Sequence, residues 1–199
     1  MSSPAYPWAR RRFDSIAHRY YLDDVEVVGV TRALSLAGLD SQARRFYTQA
    51  GRERGRAVHQ LSAESDPIPE IEYLGYLEAA RVCELQIYGD APPNLCVEEP
   101  LYDETDRYAG TPDRFGIDLA GDHVLLDFKT GAVDRSVALQ LAAYARLAAR
   151  RYALRETAIQ RVAACLRADG TFRLTEFRDR RDFAVWGGAV LVAQWKMVA

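Results

Sequence analysis

At 199 residues, with 49% hydrophobic and 27% charged side chains, the chain is long enough for a well-filled core and has the make-up of a soluble globular domain. Its formal charge of −2 is not the footprint of a protein that binds nucleic acid through bulk positive charge. No apolar run approaches the ~18 residues of a membrane span, the N-terminal MSSPAYPWARRRF lacks the apolar stretch of a secretory signal, and three scattered cysteines without a C-x-x-C pair argue against a disulfide framework, a structural zinc or an iron–sulfur cluster. A reducing cytoplasm, with no membrane partner, is the expected setting.

In chain order, 19-RYYLDDVEVVGVT-31 reads as a hairpin turning at Asp23-Asp24. A short helix follows in TRALSLAG, capped by Thr31 and closed by Gly38, and Ser41 opens a longer one through Glu64 with Phe46, Ala50, Ala57, Val58 and Leu61 on its apolar side. PEIEYLGYLEAARVCELQIYG predicts a third helix. After APPN the apolar period changes to two, through LCVEEPLY, RYAGTPDRFGIDLAG and DHVLLDFKT, which predicts three strands. A helix over about 136–152, a hairpin turning at Asp169-Gly170 and a last helix from about 181 complete the order. The pattern is that of an α/β domain with a central mixed β-sheet flanked by helices.

Nearly all the cations are arginines, lysine occurring only at Lys129 and Lys196. The arginines cluster, at Arg10 to Arg12, Arg44 and Arg45, Arg52 to Arg56, Arg150 and Arg151, and Arg178 to Arg181, and such clusters read first as solvated helix faces or ends.

The apolar run 124-VLLDFKT-130 carries charge where a buried strand should not. Side chains alternate, so Val124, Leu126 and Phe128 share one face while Leu125, Asp127 and Lys129 share the other. Asp113, just after Pro112, falls on the adjacent antiparallel strand, where it can project toward Asp127. Two carboxylates ~4 Å apart repel by roughly 4 kcal/mol at an effective dielectric of about 20. Something positive has to lie between them; Lys129 supplies part of it, and a divalent cation with a taste for hard oxygen ligands, Mg²⁺ or Mn²⁺, would supply more. Alone, an Asp-x-Lys on a strand is more often a surface ion pair, and the conjunction carries the weight.

Pro112-Asp113, thirteen residues, then Asp127-Phe128-Lys129 resembles the signature of the PD-(D/E)XK nuclease superfamily. Its surroundings are similar to the RecB-like exonuclease branch: G-x-x-D at Gly110 to Asp113, D-x-K-T-G at Asp127 to Gly131, Q-x-x-x-Y at Gln140 and Tyr144, and an upstream G-x-x-x-H at Gly55 and His59. These motifs span roughly residues 51–150, in order. The opening HRYYLDDVEVVGVTRALSLAGL also looks like those of phage-encoded members.

The resemblance implies a restriction-endonuclease-like core in a single nuclease domain over 1–199, with residues 1–40 as an N-terminal hairpin-and-helix elaboration and 41–199 as the core. It implies Asp113, Asp127, His59 and the backbone carbonyl of Phe128 as metal ligands, and Lys129 as a catalytic cation that orients water or stabilises phosphate charge. Gln140 and Tyr144, sharing a helix face, would contribute to catalysis or touch the substrate. Glu98 or Glu99 is an outer carboxylate candidate, with Glu78 a weaker one.

The expected activity is Mg²⁺- or Mn²⁺-dependent hydrolysis of DNA phosphodiester bonds, as an exonuclease of recombination, repair or phage replication. A structure-selective endonuclease and a catalytically weak nucleic-acid-binding or assembly module of the same fold are the alternatives. The implied partners are single-stranded DNA or duplex ends, a recombination or replication protein, and further copies in a homo-oligomer. With three cysteines and no helicase P-loop in the sequence, neither the iron–sulfur cluster of many relatives nor a motor is expected.

Overall fold

A computed structural model describes residues 10–40, 48–64, 69–90 and 95–198. Within them the chain runs β1 (Arg11–Asp14), β2 (Arg19–Leu22), β3 (Val25–Gly29), α1 (Val30–Ala37), α2 (Gln49–Ala63), α3 (Leu74–Tyr88), β4 (Cys96–Val97), β5 (Leu101–Asp103), β6 (Tyr108–Gly110), β7 (Arg114–Ile117), β8 (His123–Lys129), α4 (Arg135–Tyr152), β9 (Ile159–Leu166), β10 (Phe172–Glu176) and α5 (Arg181–Val198). No described helix is long and apolar enough to cross a membrane.

Most local signals act as their chemistry dictates. Asp23 and Asp24 both take left-handed backbone, with φ of 52° and 64°, the conformation a two-residue hairpin turn requires. Gly38 ends α1 in the left-handed region, and Asp134 caps α4 by accepting from Ser136 N at 2.8 Å. Thr31 is not a cap: β3 runs directly into α1, and Gly29, in extended backbone, occupies the cap without a side chain to contribute. The expected start of α2 at Ser41, with Phe46, lies outside the described residues; the described helix is capped by Thr48, whose hydroxyl accepts from Gly51 N at 3.1 Å.

The expected central sheet is in fact two five-stranded mixed sheets, ordered β1-β2-β3-β6-β5 and β10-β9-β8-β7-β4. Two of the apolar segments read as single strands each break in the middle. The first breaks at Glu98, which adopts a left-handed φ of 47°, and the second at Thr111-Pro112, where proline has no N–H for a ladder. At these breaks the chain passes from one sheet to the other, β4 and β7 in one, β5 and β6 in the other. β3 pairs in parallel with β6, so residues 10–40 share a sheet with residues 101–110. The edge strand β1, with Arg11 and Arg12, is absent from the sequence reading because its apolar content is a single Phe13.

The alternation of β8 divides the interior. Leu125 enters the large core with Leu141 and Leu147 of α4, Tyr108 and Trp186 of α5, whereas Val124, Leu126 and Phe128 pack with Val58 of α2 and Ala79, Ala80 and Cys83 of α3. Asp127 follows Leu125 to the α4 side, near Tyr144. Gly110 lets Tyr144 reach that position, because a Cβ there would lie 2.7 Å from both the Tyr144 ring and a Val30 methyl. Gly110→Ala is therefore expected to destabilise the fold by about 1–3 kcal/mol, the usual effect of overpacking, read as a lower thermal midpoint.

Candidate metal centre and cleft

Asp113 is the centre of the site. It immediately precedes β7, and since Arg114 pairs with Leu126 across the ladder, Asp113 stands opposite Asp127. Its carboxylate is buried; Oδ2 accepts from the backbone N–H of Phe128 at 2.6 Å, and Oδ1 lies 3.0 Å from Nδ1 of His59 on α2. Its carbonyl accepts from Glu98 N at 3.1 Å, which pins the Glu98 break against it. The Glu98 carboxylate then lies 3.6 Å from the same His59 Nδ1. His59, Glu98 and Asp113 each present one ligand atom within 4.8 Å of the others, a set of two carboxylates and an imidazole capable of holding a cation.

Asp127 and Lys129 sit beside this set. The Lys129 ammonium is in ion-pair contact with Asp127 Oδ2, Asp127 Oδ1 accepts no hydrogen bond from a described residue, and Glu98 Oε1 is met only by His59 Nδ1 at 3.6 Å. Buried acceptors so incompletely satisfied call for further positive charge.

The titration behaviour of the cluster says the same. Burial and then the charge of Asp113 raise Asp127, with Lys129 opposing; burial, with Asp113 adding to it, raises Glu98 against the pull of His59. Burial would raise Asp113 too, but His59, Lys129 and the Phe128 N–H outweigh it and hold its carboxyl below the usual range. Burial would lower His59, but the charge and hydrogen bond of Asp113 and the bond to Glu98 prevail and lift it to about 10. Three carboxylates thus converge where two protein cations only partly satisfy them. The donor set suits a hard divalent ion.

Of the residues singled out in the sequence, His59, Asp113, Asp127 and Lys129 come together. Phe128, expected to offer its carbonyl to a metal, also donates its N–H to Asp113. Between the two glutamates, Glu98 faces the site and Glu99 is exposed. Glu78 belongs elsewhere, exposed on α3 and paired with Arg81 at 3.2 Å. Gln140 donates to the Tyr144 hydroxyl at 3.1 Å, and burial followed by the charge of Asp127 drives that hydroxyl well above its ordinary pKa. Tyr144 is thus a buried neutral neighbour of Asp127.

Arg114 escaped the sequence reading. It is 2% exposed, forms an ion pair with Glu84 of α3, and donates to the carbonyls of Asp113 at 2.8 Å and Ser62 at 2.5 Å. One guanidinium thereby ties α2 and α3 to the strand that carries Asp113. Its signal was present, an arginine at a core position of a strand. Tyr20 was also missed: its hydroxyl lies 3.0 Å from Thr111 Oγ1, beside the second strand break, and burial pushes it up to about 12.

A cleft of about 790 Å³ opens over the centre between α2 and the turn after β8. Arg52, Arg54, Arg56, His59 and Lys129 line it, and among the described residues no carboxylate does. The Arg52 to Arg56 cluster, read from sequence as a solvated helix face, is therefore a wall of this cleft. Gly55 lies against the opposite wall, where a Cβ would meet Thr130 Oγ1 at 3.4 Å. Compared with protein-family models and with curated protein sequences, the chain finds no match.

The raised His59 pKa gives a signed prediction for the metal-free protein. An imidazole that binds its proton more tightly when folded contributes stability present in full below its unfolded pKa of 6.5, and lost as pH rises through about 10. In chelator, the gap in thermal midpoint between wild type and His59→Gln should be widest near the acid end of that window and close toward its alkaline end. A gap that widens with pH would remove the His59–Asp113 ion pair.

Proposed function

We propose that this chain is a divalent-cation-dependent nuclease of the RecB-like PD-(D/E)XK type that its motifs resemble, hydrolysing DNA phosphodiester bonds as an exonuclease. The observation that carries the reading is the juxtaposition of opposite charges: a cleft lined by arginines, and by no carboxylate among the described residues, leads, at His59 and Lys129, onto a cluster of three carboxylates, Asp113 and Asp127 buried and Glu98 half-buried. A polyanion bound along such a cleft would place a phosphate against the acidic cluster only if a cation lay between them.

His59, Glu98 and Asp113 would hold the ion, with the buried Asp127 carboxylate beside them. Mg²⁺ fits the carboxylates, and the imidazole makes Mn²⁺ an effective substitute. When bound, such an ion polarises a phosphoryl oxygen and acidifies a water. Lys129, held against Asp127, would orient the attacking water or stabilise charge on the phosphate. The α2 arginines would grip flanking phosphates. Gln140 and Tyr144 support the Asp127 side. DNA ends are the proposed substrate, in recombination, repair or phage replication.

Cleavage of end-labelled single- and double-stranded DNA, linear and circular, with Mg²⁺, Mn²⁺ or chelator tests this. Linear DNA should be degraded in metal only, circles should survive, and Lys129→Ala should lower the rate about 10²- to 10³-fold. Cutting of circles would make the protein an endonuclease, and metal-independent binding without cleavage would make it a binding module.

Asp127→Asn should abolish cleavage while leaving the thermal midpoint in chelator unchanged or higher. The raised Asp127 pKa means that its ionised form is disfavoured on folding, so neutralising it at pH 7 relieves the cluster. A wild-type cleavage rate in this variant would overturn the reading.

A further inference from the structure

Helix α5 is apolar on both sides. Its inner face, Phe183, Trp186, Ala189, Val190 and Ala193, fills the large core, and the buried Arg161–Asp182 ion pair at 3.0 Å fixes its start against β9. Its outer face is equally uncharged over Ala184, Gly188, Leu191, Trp195 and Val198. Leu191 is 69% exposed, Trp195 72% and Val198 90%, with Val185 and Val192 alongside at 44% and 42%. Of the exposed cations of the helix, Lys196 lies to the side and donates to Leu36 O at 2.7 Å, while Arg181, at the first position of the helix and on the edge of this face, is paired with Asp179 at 2.7 Å. A helix apolar all round belongs in an interior, and this one has half of an interior.

The spacing of the outer residues says what completes it. Positions 184, 188, 191, 195 and 198 recur at intervals of four and three, the seam of one helix packed along another. We propose that two copies of this chain associate through this seam as an antiparallel, two-fold pair of α5 helices, Leu191 of each copy lying against Gly188 of the other and Trp195 against Ala184.

This register places the two-fold axis midway between residues 189 and 190, the middle of the 18-residue helix, so the helices overlap over their whole length. It also sets a large side chain against a small one in the inner layers, Leu191 on Gly188 and Trp195 on Ala184, which is how facing layers interdigitate, and at each end it brings Val198 to Arg181 of the other copy. Gly188 has the room, since a Cβ built there meets nothing within 4 Å. An isologous contact demands such self-complementarity, and a different protein would have no reason to match it. The exposed fractions, flanking Val185 and Val192 included, amount to roughly 600 Å² of apolar side chain per copy, so complete burial of this face in both copies would remove at most about 1,200 Å² from water, the lower edge of a specific interface. Because α5 lines no part of the arginine cleft, the pair leaves that cleft open in both copies.

Sedimentation of the full chain over a roughly hundredfold range of concentration tests the proposal. The expected result is a shift from 22.4 kDa toward twice that mass. Trp195→Glu should keep the monomer mass throughout. Gly188→Leu is the sharper probe: it adds apolar surface and a better helix former, yet it fills the space Leu191 of the other copy would take, so it too should abolish the dimer. Circular dichroism melts of both variants should match wild type under monomeric conditions. A chain monomeric throughout, leaving the face to a different protein, a dimer that survives Trp195→Glu, or one that Gly188→Leu strengthens would each overturn the helix pair.

Discussion

The site rests on a strand change. Two neighbouring strands leave one sheet for the other at Glu98 and at Thr111-Pro112, and the hydrogen bond from Glu98 N to Asp113 O staples the two departures together. Where a continuous strand would have given its ladder bonds to a neighbour's backbone, Phe128 N–H is left to be answered by the Asp113 carboxylate. A buried carboxylate is costly, and it is held here because β8 offers it a donor that has no other partner at that point. The backbone irregularity and the acidic centre are therefore one feature. Continuing the ladder through residues 98 and 112 would remove the vacancy that Asp113 fills.

Once Asp113 is fixed, its surroundings follow from charge. Asp127 lies opposite because the register of β7 and β8 puts it there, and Glu98 arrives with the other break. The Asp113 charge, added to burial, raises the proton affinity of Glu98 and Asp127, and His59 and Lys129 compensate only in part. Arg114 serves a different end. It spends its donors on Glu84 and two carbonyls, so it sets where α2 and α3 sit, while its charge also favours the ionised form of Glu98.

The sequence made part of this legible and hid the rest for identifiable reasons. Period-two alternation in VLLDFKT assigned the faces of β8 as they are found, because a strand between two packed layers has no freedom to turn a residue the other way. The grouping of His59, Asp113, Asp127 and Lys129 was legible through motif spacing. The division into two sheets was not, since it depends on Glu98 entering left-handed backbone, which no local preference for glutamate announces. The same event decides between Glu98 and Glu99, so alternation could not have chosen correctly. The role of the α2 arginines was hidden too: a net charge of −2 averages a basic cleft with acidic surfaces elsewhere, and only the fold separates them.

That cleft has an unusual mechanical consequence. Helix α2 carries the arginines and His59, yet Val58 is its one fully buried residue, so little apolar burial holds it. Its docking relies on polar ties: Ser62 O to Arg114, Arg54 to Thr130 O at 3.3 Å, and His59 to Asp113. A helix held this way sits nearer to local opening than one seated on an apolar stripe. Whatever binds His59 together with Glu98 and Asp113 binds only the docked arrangement, and so shifts α2 toward it by mass action. The wall that would grip a polyanion is positioned by the same contacts that assemble the ligand set. Filling the centre and forming the cleft are coupled through α2.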